Sequence, residues 1–303
     1  MTVPGSASAP DSGSGFAAGG ARWELSAIGT EWCIDTSAPL DAEVRARVTA
    51  IIEGFDREWS RFRDDSLVSA LARGGGEVAA PADAAAMLDL YAAVSDATAG
   101  AVNPLVGDAL AARGYDGAYS LVDAGPRPAP AAWREILTWD DGRLAHRMPA
   151  MIDVGALGKG RLVDLVGGAL DSASVPAFVV DASGDLLVRG GTERIGLEHP
   201  YDPTRAIGVW RVTDAALCAS AVNRRSWGDG LHHVLDARTG EPVRTIVATW
   251  AVAPEAMAAD AVATALFFPG GEVFAAAHDV AWVRMATDGS VEWSPGCEAE
   301  LFT

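Results

Sequence analysis

In Ala259-Asp260-Ala261-Val262-Ala263-Thr264-Ala265 a carboxylate and a hydroxyl stand four residues apart among small side chains. On a helix, that spacing puts both oxygens on one face. Hard oxygen donors of this kind suit Mg²⁺, which keeps several waters and takes few protein groups together with substrate phosphate. The pair could equally be a solvent-facing aspartate and a threonine bonded back to its own helix. A third partner elsewhere in the chain would decide between the two.

A second segment, Asp153-Val154-Gly155-Ala156-Leu157-Gly158-Lys159-Gly160, joins a glycine-rich turn to a lysine at the expected start of a helix. Free amides, a helix dipole and a cation together can hold phosphate. The segment is not a Walker A loop, which requires Gly where Asp153 stands and Ser or Thr where Gly160 stands. Tight turning or close packing accounts for the glycines equally well. Lys159 is the single lysine among 23 basic residues. A bias toward GC-rich codons explains the missing lysines but not the survivor, which suggests a site needing a compact ammonium rather than a planar guanidinium.

The third segment is His232-His233-Val234-Leu235-Asp236-Ala237-Arg238-Thr239-Gly240, which reads as a strand entering a turn. Adjacent histidines on a strand face opposite ways, so one at most serves a given site. They lack partners at zinc-binding spacing, while either could act as a general acid or base. Asp236 and Gly240 have a sufficient reason to be there as turn formers.

The whole chain constrains what these groups can meet. With 303 residues, 50% of them hydrophobic and 21% charged, it can bury a full core as one large domain or two intimate lobes. A net charge of −18 argues against a nucleic-acid or anionic-membrane binder. An anionic substrate must therefore meet local positive charge or a metal. Cys33, Cys218 and Cys297 are odd in number and widely spaced, which fits a reducing compartment. No run reaches the ~18 apolar residues of a membrane span, and the N-terminus has neither a basic start nor an apolar stretch after it. The expected address is the cytoplasm, without membrane insertion.

The elements that position these residues follow from periodicity. Residues 1–21 are Ser-, Gly-, Ala- and Pro-rich, which predicts a disordered tail. Apolar positions from Val44 to Phe62 recur at three and four, predicting a helix that enters at Asp41. A second helix is expected over Asp83 to Ala99 with Asp83 as N-cap and Gly100 as the stop. Short helical spacing follows at Trp133 to Leu137, then a strand at Met148 to Val154 and a helix at Lys159 to Ala173. Strands are predicted at Ala177 to Asp181, Asp185 to Arg189, Arg194 to Glu198, Ile207 to Val212, Ala216 to Ala219, His232 to Leu235 and Thr245 to Val252. Glu255 to Phe268 returns to helical spacing, and a last helix and hairpin close the chain. Helices alternating with runs of short strands argue for an α+β fold.

Taken in order, these segments resemble the ApbE family of FAD:protein FMN transferases, over about Leu25 to Gly270. Ala27-Ile28-Gly29-Thr30-Glu31-Trp32 resembles the family's Met-Gly-Thr-x-Trp start, with Ile28 in place of methionine. Ser60-Arg61-Phe62-Arg63-Asp64-Asp65-Ser66 is similar to Ser-x-Phe/Tyr-x-x-x-Ser, and Asp96 to Gly107 to Thr-x-Gly-Ala-Phe-Asp-Pro-Thr-Val-Gly. Asp153 to Asp164 resembles Asp-Leu-Gly-Gly-Ile-Ala-Lys-Gly-Tyr-Ala-Val-Asp. Ser183-Gly184-Asp185 resembles a Gly-Gly-Asp turn, and Ala219-Ser220 a Thr-Ser-Gly strand. His232 to Gly240 is similar to His-x-Ile-Asp-Pro-x-Thr-Gly, and Ala259 to Thr264 to Ala-Asp-Ala-x-x-Thr. The chain departs from the pattern at Asn103 (usually Asp), Leu105 (Thr), Ala221 (Gly) and Ala237 (Pro).

The resemblance implies one flavin transferase domain over residues 22–303, with antiparallel or mixed sheets, flanking helices, and FAD and metal in a cleft between two intimate lobes. It implies Mg²⁺, or Mn²⁺, held by Asp260, Thr264 and the Ala156 carbonyl. FAD would be contacted by Ile28, Phe62, Ala101, Val102, Asn103, Asp153, Lys159 and Leu235. Lys159, His233 and Asp260 would carry the chemistry, the transfer of FMN to a Thr or Ser hydroxyl of a separate acceptor protein with release of AMP. Water in place of that hydroxyl would make an FAD pyrophosphatase of the same site. A non-catalytic flavin-binding or delivery protein is compatible with the same residues.

Overall fold

The computed structural model describes residues 20–140 and 142–302. Residues 1–19 of the tail expected over 1–21 lie outside the described residues, and Ala21 already belongs to the first strand. The centre is an eight-stranded sheet in the order Ala21–Ala27, Thr30–Thr36, Phe178–Asp181, Asp185–Arg189, Ala216–Ala221, Ile246–Ala253, Ala281–Ala286, Val291–Trp293. Every neighbouring pair in it is antiparallel.

Alternation along the strands separates two cores. Trp32, Ile34, Phe178 and Val180 point to one face, where helices Ala42–Trp59, Ala84–Ala97, Gly158–Ser172 and Ala256–Ala265 present Phe55, Met87, Leu162, Val166 and Val262. Val179, Val188, Trp250 and Val283 point to the other, which is covered by the hairpin Thr192–His199 and Asp202–Thr213 through Leu197, Trp210 and Val212. Ile246–Ala253 is buried on both faces, which explains a run that is apolar except for the buried Thr249. Fully burying a side chain such as Phe178 or Leu162 contributes about 1.5–3 kcal/mol. The result is α+β, as expected, with helices on one side of an antiparallel sheet. Among the described residues no helix is long and apolar enough to cross a membrane.

Three local expectations need correction. Met148 to Val154 is not a strand: Ala150, Ile152 and Val154 are buried in alternation, but no neighbouring strand runs alongside. The backbone there is held by single bonds, such as the Asp153 amide to the Pro104 carbonyl at 2.8 Å. His232 to Leu235 divides into two short pairings, Leu231–His232 with Ser226–Trp227 and Leu235–Asp236 with Glu241–Pro242. Asp83 precedes its helix but makes no capping bond. Its carboxylate accepts from Arg161 Nε at 2.7 Å instead, tying this helix to Gly158–Ser172.

Candidate active site

The site is organised where helices Gly158–Ser172 and Ala256–Ala265 meet. A Cβ on Gly160 would lie 2.3 Å from the Ala256 carbonyl oxygen and 2.8 Å from Asp260 Cβ, so only glycine allows this approach. Asp164, one turn on, accepts from the Ala256 and Met257 amides at 2.7 and 2.8 Å. It thus caps from outside a helix whose own N-cap residue, Glu255, makes no side-chain bond.

The Gly160 amide donates to Asp260 Oδ2 at 2.9 Å. In a continuing helix it would reach the carbonyl four residues back, that of Ala156. Among the described residues nothing donates to the Ala156 carbonyl. Ala156 is held in turn by Tyr91, whose hydroxyl donates to the Asp153 carbonyl at 3.0 Å and accepts from the Ala156 amide at 3.3 Å. Burial keeps that phenol well above its ordinary pKa, hence protonated. In the sequence Tyr91 is one position of the helix expected over Asp83 to Ala99, and its hydroxyl signals only that a buried partner is needed.

Asp185, expected from the sequence as a turn and strand-start residue with no site role, is 1% exposed and enters from the central sheet opposite Cys218. Neither of its oxygens accepts a well-aligned hydrogen bond, and the Lys159 ammonium stands 3.1 Å away. Burial alone would lower the Lys159 pKa, but Asp185 and Asp260 override it and raise it, so the ammonium stays charged. Burial first, then the Asp185 charge, pushes the Asp260 carboxyl well above its usual range. Two buried carboxylates thus share one ammonium, an imbalance that a divalent cation would relieve. The donors near Asp260, its carboxylate, the half-buried Thr264 one turn on and the unbonded Ala156 carbonyl, are all oxygen and fit Mg²⁺ or Mn²⁺. Among the described residues no three His, Cys, Asp or Glu gather into a metal-binding group, so a metal here would depend on the hydroxyl and carbonyl.

The two histidines have different fates. His232 is buried, with Nδ1 accepting from the Val234 amide at 3.3 Å and Nε2 at 2.8 Å from the Val243 carbonyl. Those contacts set its tautomer and make it structural. His233 keeps an Nδ1 that is buried and unpartnered. Burial, reinforced by Arg225, His232 and Lys159, lowers its pKa to about 3, so the ring is neutral. The influence of Lys159 ties this imidazole to the helix crossing.

Asp153 is already engaged. Arg61, itself buried, binds its Oδ2, and the Gly155 amide donates to Oδ1 at 2.7 Å. Arg61 also donates to the Tyr115 carbonyl at 2.7 Å and lies 4.1 Å from the Phe62 ring centroid. Phe62 stacks on Tyr119 and meets Tyr115 edge-on, and Tyr115 stacks on Trp227. Buried Leu235 packs in this same cluster.

Ile28 and Gly29 form the Ala27–Thr30 turn with φ of 46° and 75°. Two positive values fit a type I′ hairpin turn, and a β-branched residue there is strained. Ala101, Val102 and Asn103 are buried. The Ala101 carbonyl accepts from the Ala237 amide at 3.0 Å, a bond that proline at 237 could not donate. Asn103 Nδ2 donates to the Pro130 carbonyl at 2.9 Å, which an ionised aspartate could not do. Two departures from the family pattern are thus matched by local hydrogen bonding.

The model of the ApbE family matches residues 20–281. The chain is 28% identical over 270 residues to the FAD:protein FMN transferase of Treponema pallidum (strain Nichols), covering 76% of this chain and 73% of that protein. It is 30% identical over 161 residues to the FAD:protein FMN transferase of Rhodobacter capsulatus, covering 50% of this chain and 31% of that one. Among solved structures, the ApbE protein of Thermotoga maritima superposes with a TM-score of 0.80 at 21% identity, covering 91% of this chain and 97% of that one. The flavin transferase ApbE of Vibrio cholerae gives 0.74 at 21% identity, covering 91% and 96%. At such identities the structural likeness concerns the fold.

Proposed function

The chain belongs to the ApbE family, and on that premise we propose that it transfers FMN from FAD to a threonine or serine hydroxyl of a separate acceptor protein, releasing AMP. The observation that carries the reading is the Gly160 amide bond to Asp260, which leaves the Ala156 carbonyl unbonded, in the turn entering the helix that presents Lys159 to Asp185. Mg²⁺, or Mn²⁺, held by Asp260, Thr264 and the Ala156 carbonyl, would supply charge neutralisation to the pyrophosphate oxygens. Lys159 adds the compact cation that this otherwise acidic chain brings to the phosphates. His233, neutral with an unpartnered Nδ1, accepts the proton of the acceptor hydroxyl.

The hydroxyl oxygen forms a bond to the FMN phosphorus as the bond from that phosphorus to the bridging oxygen breaks. The electron pair leaves on AMP, and an FMN phosphodiester remains on the acceptor. Phe62 and Ile28 contact the isoalloxazine, with Ala101, Val102, Asn103 and Leu235 behind them. Asp153 acts through its hold on Arg61 and the Gly155 amide. A cytoplasmic setting completes the proposal, and the three free cysteines fit it.

The test is intact mass spectrometry of an acceptor domain incubated with the full chain, FAD and Mg²⁺, with an EDTA control and AMP followed in parallel. A metal-dependent gain of one FMN group with matching AMP supports the transfer. AMP without labelling would replace it with pyrophosphate hydrolysis, and bound FAD with no AMP would make the chain a flavin carrier.

A further inference from the structure

Arg224 and Arg225 are consecutive in the 3₁₀ turn Val222–Arg225, yet they are placed differently. Arg224 is held by Glu198 at 3.0 Å. Arg225 has no carboxylate partner among the described residues, although the chain carries a net charge of −18. Its Nη1 donates to the Tyr115 hydroxyl at 2.7 Å, and its guanidinium stands 5.8 Å from that ring's centroid. Tyr115 is 5% exposed and wedged between Phe62 and Trp227, so it fixes the guanidinium from a rigid base.

The hairpin register shows where Arg225 stands. Ser226 pairs with His232, so Arg225, just before that pair, and His233, just after it, leave the same end of the ladder close together. Arg225 also acts electrostatically on Lys159. Two other cations of the site are neutralised, Lys159 by Asp185 and Arg61 by Asp153. A half-buried guanidinium beside a neutral histidine and a lysine is complete only with an anion between them.

We propose that Arg225 is a direct contact to the FAD pyrophosphate, gripping phosphate oxygens beside His233 while Lys159 approaches from the helix crossing. This rests on the FMN-transfer reading. The planar fork suits two oxygens of a phosphate in a way a lysine would not.

The test separates phosphate binding from flavin binding. Fluorescence-quench titrations of the full chain with FAD, and with riboflavin, which lacks the pyrophosphate, are run on the wild type, Arg225→Ala, Arg225→Lys and Arg224→Ala. Arg225→Ala is expected to weaken FAD binding by about 10- to 100-fold, as for loss of a charged hydrogen bond. Riboflavin binding should be unchanged even though Tm falls modestly with the loss of the Tyr115 hydroxyl's partner, Arg225→Lys should recover part of the loss in FAD binding, and Arg224→Ala should leave both ligands alone. An Arg225→Ala chain that loses riboflavin in step with FAD, or that binds FAD as tightly as a wild type that does bind it, overturns the assignment. A wild type that neither binds FAD nor releases AMP overturns the transferase reading itself.

Discussion

Tyr119 lies flat on Phe62, with ring centroids 5.1 Å apart and planes within 7° of parallel. Tyr119 is 45% exposed, has a positive φ of 51°, and its hydroxyl lies 3.8 Å from where a Cβ on Gly29 would stand. One half-exposed ring therefore spans both sequence segments expected to receive the isoalloxazine. In the proposed reaction that ring has to leave Phe62 before a flavin can stack there. The stacking is worth about 0.5–1.5 kcal/mol, so Tyr119→Ala should tighten FAD binding by about 2- to 10-fold, whereas Tyr119→Phe should change little. A fluorescence titration in which Tyr119→Ala weakens binding would make Tyr119 part of the flavin site instead of a competitor for it.

The Tyr91 hydroxyl joins the Asp153 carbonyl to the Ala156 amide. Tyr91→Phe removes both bonds inside a buried loop and should cost about 1–2 kcal/mol in urea unfolding. The divalent-ion affinity should fall with it, because the Ala156 carbonyl loses its support. Unchanged stability would show that the loop is held by packing alone.

Mg²⁺ is expected to raise the wild-type Tm, and Asp260→Asn, which retains an oxygen for the Gly160 amide but removes the charge, should abolish that rise. Thr264→Val keeps the volume and removes the hydroxyl. Since loss of a group merely supporting a ligand costs about 10–100-fold in metal affinity, Thr264→Val should cost at least that, read by Mn²⁺ titration. Wild-type affinity in both variants would place the metal elsewhere.

His233 is held neutral by burial and by neighbouring positive charge, with a pKa of about 3 against an ordinary 6.5. Between these values the unfolded chain binds a proton that the folded chain does not, so stability falls as pH drops from 6.5 toward 3. His233→Gln cannot take up that proton. Its Tm should therefore decline less than the wild-type Tm between about pH 7 and about pH 4.5. Parallel Tm curves would mean that His233 titrates as it would in water.

Several site elements were legible because they are local. The spacing of Asp260 and Thr264 lies within one helix turn, Lys159 stands out as a lone lysine, and alternation along the strands marked most of the sheet. Extended backbone read as a strand at 148–154 because Ala150, Ile152 and Val154 alternate into the core. Burial with period two does not require a neighbouring strand, and no local pattern reveals whether one is there.

By itself, the sequence determined which residues could carry charge or donate oxygen, and that helices and short strands would combine in an α+β fold. Only the tertiary structure decided which of these groups meet. Asp185 reaches Lys159, on a helix, from a strand of the central sheet, Arg61 takes Asp153 from 92 residues away, and Gly160 reaches Asp260 across 100. Tyr119 covers Phe62 from a loop with no periodicity. Side-chain type is a property of one position, whereas charge compensation and pKa depend on distances that only the packed chain brings about.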